Sequence, residues 1–255
     1  MTNLASATVL ITGASSGFGA AAARRFAADG ARLVLCGRRA DRLESVKNEL
    51  NVPTHVLVLD IRERSAVAEA ITALPADFAQ IDILVNNAGL ALGLEPAPRA
   101  DLDDWDDMID TNVKGLAYCT RAVLPGMVER KRGHVINLGS VAGTYPYPGG
   151  NVYGGTKAFV HQFSLNLRAE LLGSKVRVTC IEPGMCETEF SVVRFKGDTN
   201  KAAKVYEGMK PLSADDIAET IHWVAALPAH VNINTIELMP VDQASSPFAV
   251  YREGK

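Results

Sequence analysis

Residues 8–19 read TVLITGASSGFG, and this stretch decides the fold of the chain. The apolar, β-branched residues 8–11 predict a strand, and the pattern of residues 17–29 predicts a helix directly after the glycines. A strand, a tight glycine turn and a helix in that order begin a β-α-β unit. The glycines let the chain turn tightly, so that backbone N–H groups at the start of the helix face an open edge where anions bind favourably.

The same alternation continues along the chain. Further strands are predicted at residues 32–36, 54–59, 81–85, 133–138, 176–181 and 233–239. Further helices are predicted at residues 40–50, at 64–74, at 103–130, from Tyr153 onward, and from a capped start at Ser213 to about residue 227. Strands that alternate with helices predict an α/β fold, in which a parallel sheet is covered by helices on both faces.

Two segments depart from this regular pattern. Pro125 lies inside the long helical stretch and predicts a bend or a break in it. Residues 185–212 contain Gly197, Gly208 and many charges, and they predict a mobile, lid-like insert. No linker or shift of composition divides the chain, so we expect a single domain over residues 1–255.

The composition excludes several classes of protein. The chain has 255 residues, of which 47% are hydrophobic and 22% charged, and its formal net charge of -3 disfavours a dedicated nucleic-acid binder. No apolar run reaches about 18 residues, so no membrane span is expected. Residues 1–6 lack the pattern of a signal peptide. The scattered cysteines form no C-x-x-C pair and the histidines have no ligand spacing with them, which predicts reduced thiols of a cytoplasmic protein and no metal site.

The first turn predicts a dinucleotide site. A pyrophosphate could approach the backbone of Gly13, Gly17 and Gly19, because these glycines lie between a strand and the N-terminus of a helix. The spacing G-x-x-x-G-x-G differs from the G-x-G-x-x-G fingerprint, so the position of the turn carries this prediction rather than its spacing.

Two arginines follow the second strand, in the sequence Cys36-Gly37-Arg38-Arg39. An NAD site usually presents an acidic residue there, which binds the ribose 2′-OH. Here Gly37 leaves room, and Arg38 and Arg39 offer guanidinium groups to a 2′-phosphate, which favours NADP(H). Alternatively, the two arginines cap a strand on a solvated surface.

Polar residues also end the third and fourth strands. Asp60 could accept a hydrogen bond from the adenine amino group, or it could only cap a turn. The fourth strand ends in Asn86-Asn87-Ala88-Gly89, whose backbone could line the site of the adenosine ribose or could form an ordinary turn. These residues all lie at carboxyl ends of strands, where open α/β sheets bind ligands.

A catalytic site is predicted at the same edge of the sheet. Tyr153 and Lys157 stand at positions i and i+4 of a helix and share one face, although such a pair also occurs by chance. An ammonium beside a phenol lowers the pKa of the phenol and makes it a candidate proton carrier. Ser140 ends the fifth strand, where it could hold a carbonyl oxygen or cap a turn. Asn112 has low helix propensity, so it either faces solvent or serves the site.

Together these motifs resemble the short-chain dehydrogenase/reductase family over essentially the whole chain. The resemblance rests on residues 12–19, residues 86–89, Asn112, Ser140, the Tyr153/Lys157 pair and Pro183-Gly184. More narrowly, residues 86–96, 121–130, 149–153, 188–197 and 227–235 are similar to the NADP-dependent 3-hydroxy acid dehydrogenases, a group that includes serine and allo-threonine dehydrogenases and malonic semialdehyde reductases.

This resemblance implies a single Rossmann-type domain, a doubly wound parallel sheet of about seven strands, and a homotetramer. The tail, residues 243–255, either packs on a neighbouring subunit or lies irregularly on the surface.

In the implied mechanism, Tyr153 is the general acid or base, Lys157 lowers its pKa and binds the nicotinamide ribose, Ser140 orients the substrate oxygen, and Asn112 holds a water that relays protons to Lys157. Besides Tyr153 and Lys157, the implied NADP(H) contacts are Gly13, Ser15, Ser16, Gly17, Phe18, Gly19, Arg38, Arg39, Asp60, Ile61, Asn87, Ala88, Gly89, Pro183, Gly184, Met185 and Thr188.

The implied substrate is a small 3-hydroxy acid or its semialdehyde or keto form, so its pocket should hold a cation. Arg194 is the predicted partner of the carboxylate, with Lys196 as a second candidate, or the two cations form a solvated basic face. Tyr147 is expected to shape the pocket wall or simply to pack, and Gly149, Gly150 and Asn151 to leave room beside Tyr153.

Two other functions remain open on the sequence. One is reduction of a different small carbonyl compound, such as sulfoacetaldehyde or a neutral ketone. The other is a non-catalytic regulatory protein that senses NADP, which the intact set of catalytic residues disfavours. The sequence also leaves Gly154-Gly155 unexplained, since two glycines in a helix cost about 1–2 kcal/mol of helix propensity.

Overall fold

The fold is a parallel sheet in a computed structural model that describes residues 4–245 and residue 251. Within these residues the strands are β1 Thr8–Thr12, β2 Arg32–Gly37, β3 Thr54–Val58, β4 Ile83–Asn86, β5 Gly133–Leu138, β6 Val176–Pro183 and β7 Thr235–Leu238. Their order across the sheet is β3-β2-β1-β4-β5-β6-β7, and every neighbouring pair is parallel. The order reverses between β1 and β4, which is where sheets of this kind form a ligand-binding crevice.

Helices cover both faces of the sheet, as the alternating pattern predicts. They are α1 Gly17–Ala28, α2 Ala40–Asn48, α3 Arg64–Thr72, α4 Leu102–Ile109, α5 Leu116–Glu129, α6 Asn151–Glu170, α7 Glu189–Arg194, α8 Thr199–Lys204 and α9 Ala214–Ala226. One buried cluster joins the sheet to α1 and α9 and includes Phe26 and Ile221. A second joins the other face to α3, α5 and α6 and includes Met127 and Leu167. The predicted α/β fold is therefore confirmed.

Of the bend or break predicted at Pro125, the break is wrong and the bend stays a prediction. Helix α5 continues through Pro125, and the buried side chains of Val123 and Met127 anchor it to the core on either side of the proline. The long helical stretch is instead interrupted earlier, by a π-helical turn over Asp110–Gly115. A π turn of this kind commonly marks a functional position, and this one contains Asn112.

The segment 185–212, predicted as a lid-like insert, contains α7 and α8 and is tied to the loop after β4. The backbone N–H of Gly93 donates to the carbonyl of Arg194 at 3.0 Å, and Lys196 Nζ lies 2.9 Å from Asp104 Oδ1. The capped helix start predicted at Ser213 is confirmed, since Ser213 and Asp216 form a capping box at the start of α9.

Some predictions fall outside the described residues. They concern the signal-peptide pattern at residues 1–3 and the tail at residues 246–250 and 252–255. Tyr251 is exposed, and its backbone N–H donates to the carbonyl of Asp242 at 2.7 Å. No helix in the described part of the chain combines the length and hydrophobicity that a membrane span needs.

Helix α6 explains one glycine of the Gly154-Gly155 pair. A Cβ atom on Gly154 would lie 2.9 Å from the carbonyl oxygen of Ala142. The close approach of the loop after β5 therefore requires a glycine at this position of α6. The same loop needs Gly143, because a Cβ on it would lie 2.7 Å from the carbonyl carbon of Lys157. A Cβ on Gly155 would meet no atom within 4 Å, and nothing in the structure explains this second glycine.

We therefore expect Gly155→Ala to raise the free energy of unfolding by about 0.5–1 kcal/mol, because alanine loses less conformational entropy in a helix. For a domain of this size the melting temperature should rise by about 1–4 °C in calorimetry. The matched control is Gly154→Ala, which makes the same chemical change against Ala142 and should not stabilise. A lower melting temperature for Gly155→Ala would contradict the conclusion that this position has room for a Cβ atom.

Candidate active site

The carboxyl ends of the strands open into one cavity of about 810 Å³. Most of the residues predicted to bind cofactor or substrate line it. They are Gly13, Ser15, Ser16, Gly17, Phe18, Arg38, Arg39, Asp60, Ile61, Asn87, Ala88, Gly89, Ser140, Tyr147, Tyr153, Lys157, Pro183, Gly184, Met185, Thr188 and Arg194. Three predicted site residues, Gly19, Asn112 and Asn151, do not line the cavity.

The glycine turn is held tightly against the loop after β4. Thr12 Oγ1 accepts hydrogen bonds from the backbone N–H groups of Asn87 and Ala88, both at 3.0 Å. Gly13 has a φ of +67°, and a Cβ on it would lie 2.9 Å from Ala88 Cα. A Cβ on Gly19 would lie 2.4 Å from the carbonyl oxygen of Gly13. Gly19 therefore permits this packing from beneath the turn and stays out of the cavity.

The two predicted arginines lie at the open end of the cavity. Arg39 Nη2 donates to Ser15 Oγ at 2.8 Å and to Ser16 Oγ at 2.9 Å. Arg38 Nη1 lies 4.0 Å from Asp60 Oδ2. Two exposed guanidinium groups beside two serine hydroxyls form a donor set that fits a phosphate group.

Asp60 caps a turn, which is one of its two predicted roles. Its carboxylate accepts from the backbone N–H of Arg62 at 3.1 Å, which caps a turn, and from Arg62 Nη2 at 2.7 Å. The hydrogen bonds from Arg62 outweigh burial and hold the pKa of Asp60 below its usual value. Because Asp60 also lines the cavity, its contact with an adenine stays a prediction.

Lys157 is buried in α6 beside Tyr153, with its Nζ 5.8 Å from the centre of the Tyr153 ring. Burial lowers the pKa of Lys157 to about 8. Its ammonium donates to the carbonyl of Leu138 at 2.8 Å, which is the single protein acceptor found for it among the described residues. An ammonium has three donors, so Lys157 can also bind hydroxyl groups of a ligand.

Burial raises the pKa of the Tyr153 phenol. Ser140, which is close enough for a hydrogen bond, and the positive charge of Arg194 act in the opposite direction. The sequence predicts that Lys157 lowers the pKa of Tyr153, but after burial the largest effects on this pKa come from Ser140, Tyr147 and Arg194. A phenol with a raised pKa keeps its proton near neutral pH, so it is set to act as a proton donor.

Asn112 neither faces solvent nor lines the cavity. It is buried in the π turn, where Oδ1 accepts from the backbone N–H of Leu90 at 2.9 Å. Its Nδ2 donates to the carbonyl of Leu90 at 2.8 Å and to Thr156 Oγ1 at 3.0 Å. Both amide donors are thus used to fasten the loop after β4 to α6. The predicted role of Asn112 in holding a water stays a prediction.

Arg194 faces Tyr153 from α7. Its guanidinium carbon lies 5.4 Å from the ring centres of both Tyr147 and Tyr153, and its Nη2 donates to the Tyr147 hydroxyl at 2.5 Å. No acidic partner for Arg194 is found in the described part of the chain. Lys196, the other predicted cation, pairs with Asp101 and Asp104 and does not line the cavity.

The space that Gly149 and Gly150 leave is filled by neighbouring residues, and neither these two glycines nor Asn151 lines the cavity. A Cβ on Gly149 would lie 2.5 Å from the carbonyl oxygen of Leu94, and one on Gly150 would lie 2.6 Å from the Tyr147 ring. Asn151 is exposed, and its Nδ2 donates to the carbonyl of Glu95 at 3.2 Å. These residues therefore fix the loop that carries Tyr147, which lines the cavity as predicted.

Sequence reasoning missed several residues of the cavity wall. The Phe190 ring lies 5.7 Å from that of Tyr153, and Gln243 Oε1 accepts from the backbone N–H of Met185 at 2.8 Å. Thr188 Oγ1 caps α7 by accepting from the N–H of Phe190 at 3.2 Å. The cap signal of Thr188 could have indicated α7, but no local pattern places Gln243 there, because that contact joins distant parts of the chain.

One group in the described residues brings metal-ligand atoms together although the sequence shows no ligand spacing between histidines and cysteines, and the predicted absence of a metal site stays a prediction. The ligand atoms of His161, Cys180 and Glu182 lie within 4.8 Å of one another. His161 Nδ1 is 2.5 Å from Glu182 Oε1, and the Cys180 thiol donates to the same oxygen at 3.5 Å. Because α6 packs on β6, residues without sequence spacing meet there. Their hydrogen bonds satisfy a buried carboxylate without an ion.

The chain is similar to known proteins over nearly its whole length. Residues 7–198 match the family model described as short chain dehydrogenase. The NADP-dependent 3-hydroxy acid dehydrogenase YdfG of Salmonella typhi is 60% identical over 96% of this chain and 99% of that protein. Serine 3-dehydrogenase of Rhizobium radiobacter is 57% identical over 97% of this chain and 99% of that protein. A solved structure of the closed form of serine dehydrogenase complexed with NADP+ has 57% identity and a TM-score of 0.93, and it covers 96% of this chain and 100% of that one.

Proposed function

This chain belongs to the short chain dehydrogenase family, and on that premise we propose that it is an NADP-dependent oxidoreductase of small 3-hydroxy acids and the matching semialdehydes or keto acids. The observation that carries the substrate class is the contact of Arg194 with Tyr153. It puts a cation that has no acidic partner among the described residues beside the buried phenol. A substrate that reacts at the phenol can therefore place a carboxylate on Arg194.

The residues of the cavity fit NADP(H). The glycine turn exposes backbone N–H groups to a pyrophosphate, Arg38 and Arg39 with Ser15 and Ser16 suit a 2′-phosphate, and Lys157 has spare donors for a ribose. When bound, the cofactor supplies the hydride in reduction and accepts it in oxidation. We propose that the other residues predicted to contact NADP(H) do so. Gly19 is the exception, because it supports the glycine turn by packing and does not touch the cofactor.

The protein's own residues handle the proton and the geometry. In reduction, Tyr153 donates its phenolic proton to the developing alkoxide, and in oxidation it takes the proton from the hydroxyl group. Ser140 hydrogen-bonds the same substrate oxygen and holds it near the phenol. Lys157 orients the ribose, and its charge favours the phenolate that is left after proton donation. Phe190 and the rest of α7 exclude water from this region, which is the role we propose for segment 185–212.

A panel of substrates tests the proposal. We expect NADP⁺ turnover with serine, with threonine isomers and with 3-hydroxypropionate, and NADPH turnover with malonic semialdehyde, measured by absorbance at about 340 nm. Sulfoacetaldehyde also carries an anion and tests the alternative substrate. Faster reduction of a neutral ketone than of every anionic compound would contradict the role of Arg194. Tight NADP⁺ binding without turnover of any compound would favour a regulatory protein.

We also propose a cytoplasmic homotetramer. Trp223 on α9 supports an interface, because its large apolar side chain is 48% exposed. Light scattering coupled to gel filtration tests this proposal, and a mass equal to one chain would contradict it.

A further inference from the structure

Glu189, the first residue of α7, reaches across the mouth of the cavity to the arginines near the first turn. Its two carboxylate oxygens lie 2.9 and 2.8 Å from Arg42 Nη1, and Oε2 lies 3.5 Å from Arg39 Nη1. Arg42 and Glu189, which meet here, are 147 positions apart in the sequence. Arg39 thus contacts a carboxylate on one side and the hydroxyls of Ser15 and Ser16 on the other.

We propose that Glu189 competes with the 2′-phosphate of the cofactor for Arg39 and Arg42, and that it thereby reduces the preference for NADP over NAD. Arg42 then becomes a third cation that the 2′-phosphate gains once Glu189 leaves. This inference rests on the proposed function, because it concerns the same cofactor site.

The contacts support competition rather than simple surface pairing. A phosphate on Arg39 needs the guanidinium nitrogen that faces Glu189, since the other terminal nitrogen already donates to both serines. A carboxylate so close to a bound phosphate would also repel it. Glu189 is ionised in the structure: burial alone would raise its pKa, but the hydrogen bond and charge of Arg42 and the charge of Arg39 bring the pKa below its usual value.

The expected size of the effect follows from the exposure of the groups. The side chains of Glu189, Arg39 and Arg42 are between 42% and 50% exposed, so each ion pair is weak and solvent-screened. A 2′-phosphate can therefore displace Glu189, but it binds more weakly than it would to free arginines. Removing the charge of Glu189 should tighten binding of NADP⁺ by about 2–5-fold, the range expected for an exposed pair. NAD⁺ lacks the 2′-phosphate, so its binding should change by less than about 1.5-fold.

The experiment compares Glu189→Gln with wild type by isothermal titration calorimetry with NADP⁺ and NAD⁺ at low salt. Glu187→Gln is the matched control, because Glu187 is exposed, precedes Glu189 by two positions and does not line the cavity. The probes 2′,5′-ADP and 5′-AMP repeat the comparison for the adenosine end alone, since they differ by the 2′-phosphate.

We expect tighter NADP⁺ and 2′,5′-ADP binding in Glu189→Gln, little change for NAD⁺ and 5′-AMP, and no change in Glu187→Gln. Adding Arg42→Met to Glu189→Gln should weaken 2′,5′-ADP again. An unchanged or weaker affinity of Glu189→Gln for 2′,5′-ADP, or equal gains for 2′,5′-ADP and 5′-AMP, would overturn the inference. Failure of the wild type to bind NADP⁺ would instead overturn the proposed function, so the two failures are distinguishable.

Discussion

Tyr153→Phe is expected to lower kcat by about 10²–10⁴-fold, the contribution of a positioned general acid or base. The substitution removes the hydroxyl and keeps the ring, so the contact with Phe190 and the packing of α6 are preserved. The affinity for NADP⁺ should change little, because Lys157 and the glycine turn are intact. Steady-state kinetics and calorimetric titration with NADP⁺ measure the two quantities separately.

Tyr145→Phe is the matched control for this prediction. Tyr145 also lines the cavity, but its hydroxyl donates to Glu237 at 3.2 Å. The Tyr145→Phe variant should keep nearly the wild-type kcat. If Tyr153→Phe retained more than about a tenth of the wild-type kcat, the phenol could not be the general acid.

Arg194→Ala is expected to raise KM for anionic substrates by about 10–100-fold, because a hydrogen bond to a charged group contributes about 1.5–3 kcal/mol. Its effect on kcat should be smaller and downward, since the positive charge of Arg194 also lowers the pKa of Tyr153. Initial rates over a range of 3-hydroxypropionate and malonic semialdehyde concentrations give both constants. Arg194→Lys, which keeps the charge but loses the bidentate geometry, should fall between wild type and Arg194→Ala.

Two comparisons make this result specific. Lys196→Ala removes a neighbouring cation that pairs with Asp104 outside the cavity, so it should leave KM close to the wild-type value. Any neutral carbonyl compound that is reduced should be affected by Arg194→Ala much less than the anionic substrates are. An unchanged KM for 3-hydroxypropionate in Arg194→Ala would show that the anion binds elsewhere.

The sequence predicts those parts of the molecule that depend on local patterns. The seven strands, the glycine turn and the Arg38-Arg39 pair follow from neighbouring residues, and the turn lies at the predicted sheet edge because parallel strands end together. The Tyr153/Lys157 pair follows from helical spacing in the same way.

Contacts between distant residues could not be read from the sequence. Proline chemistry predicted a bend or a break at Pro125, but packing of Val123 and Met127 carries α5 through it without a break, and the interruption occurs at the π turn of Asn112. The Glu189–Arg42 pair and the cluster of His161 with Glu182 likewise depend on how elements pack. Gly154 and Gly155 look alike in the sequence, and only the nearby carbonyl of Ala142 distinguishes them.

The close backbone contact between the loop after β5 and α6 has a consequence for protein engineering. Gly143 and Gly154 join the segment that carries Ser140 to the helix that carries Tyr153, through main-chain atoms that no side-chain substitution removes. Arg194, Phe190 and Glu189 all belong to α7, which contributes to the cavity wall and takes no part in this junction. A library of variants confined to α7 should therefore yield new substrate and cofactor preferences while the proton-transfer geometry is inherited unchanged.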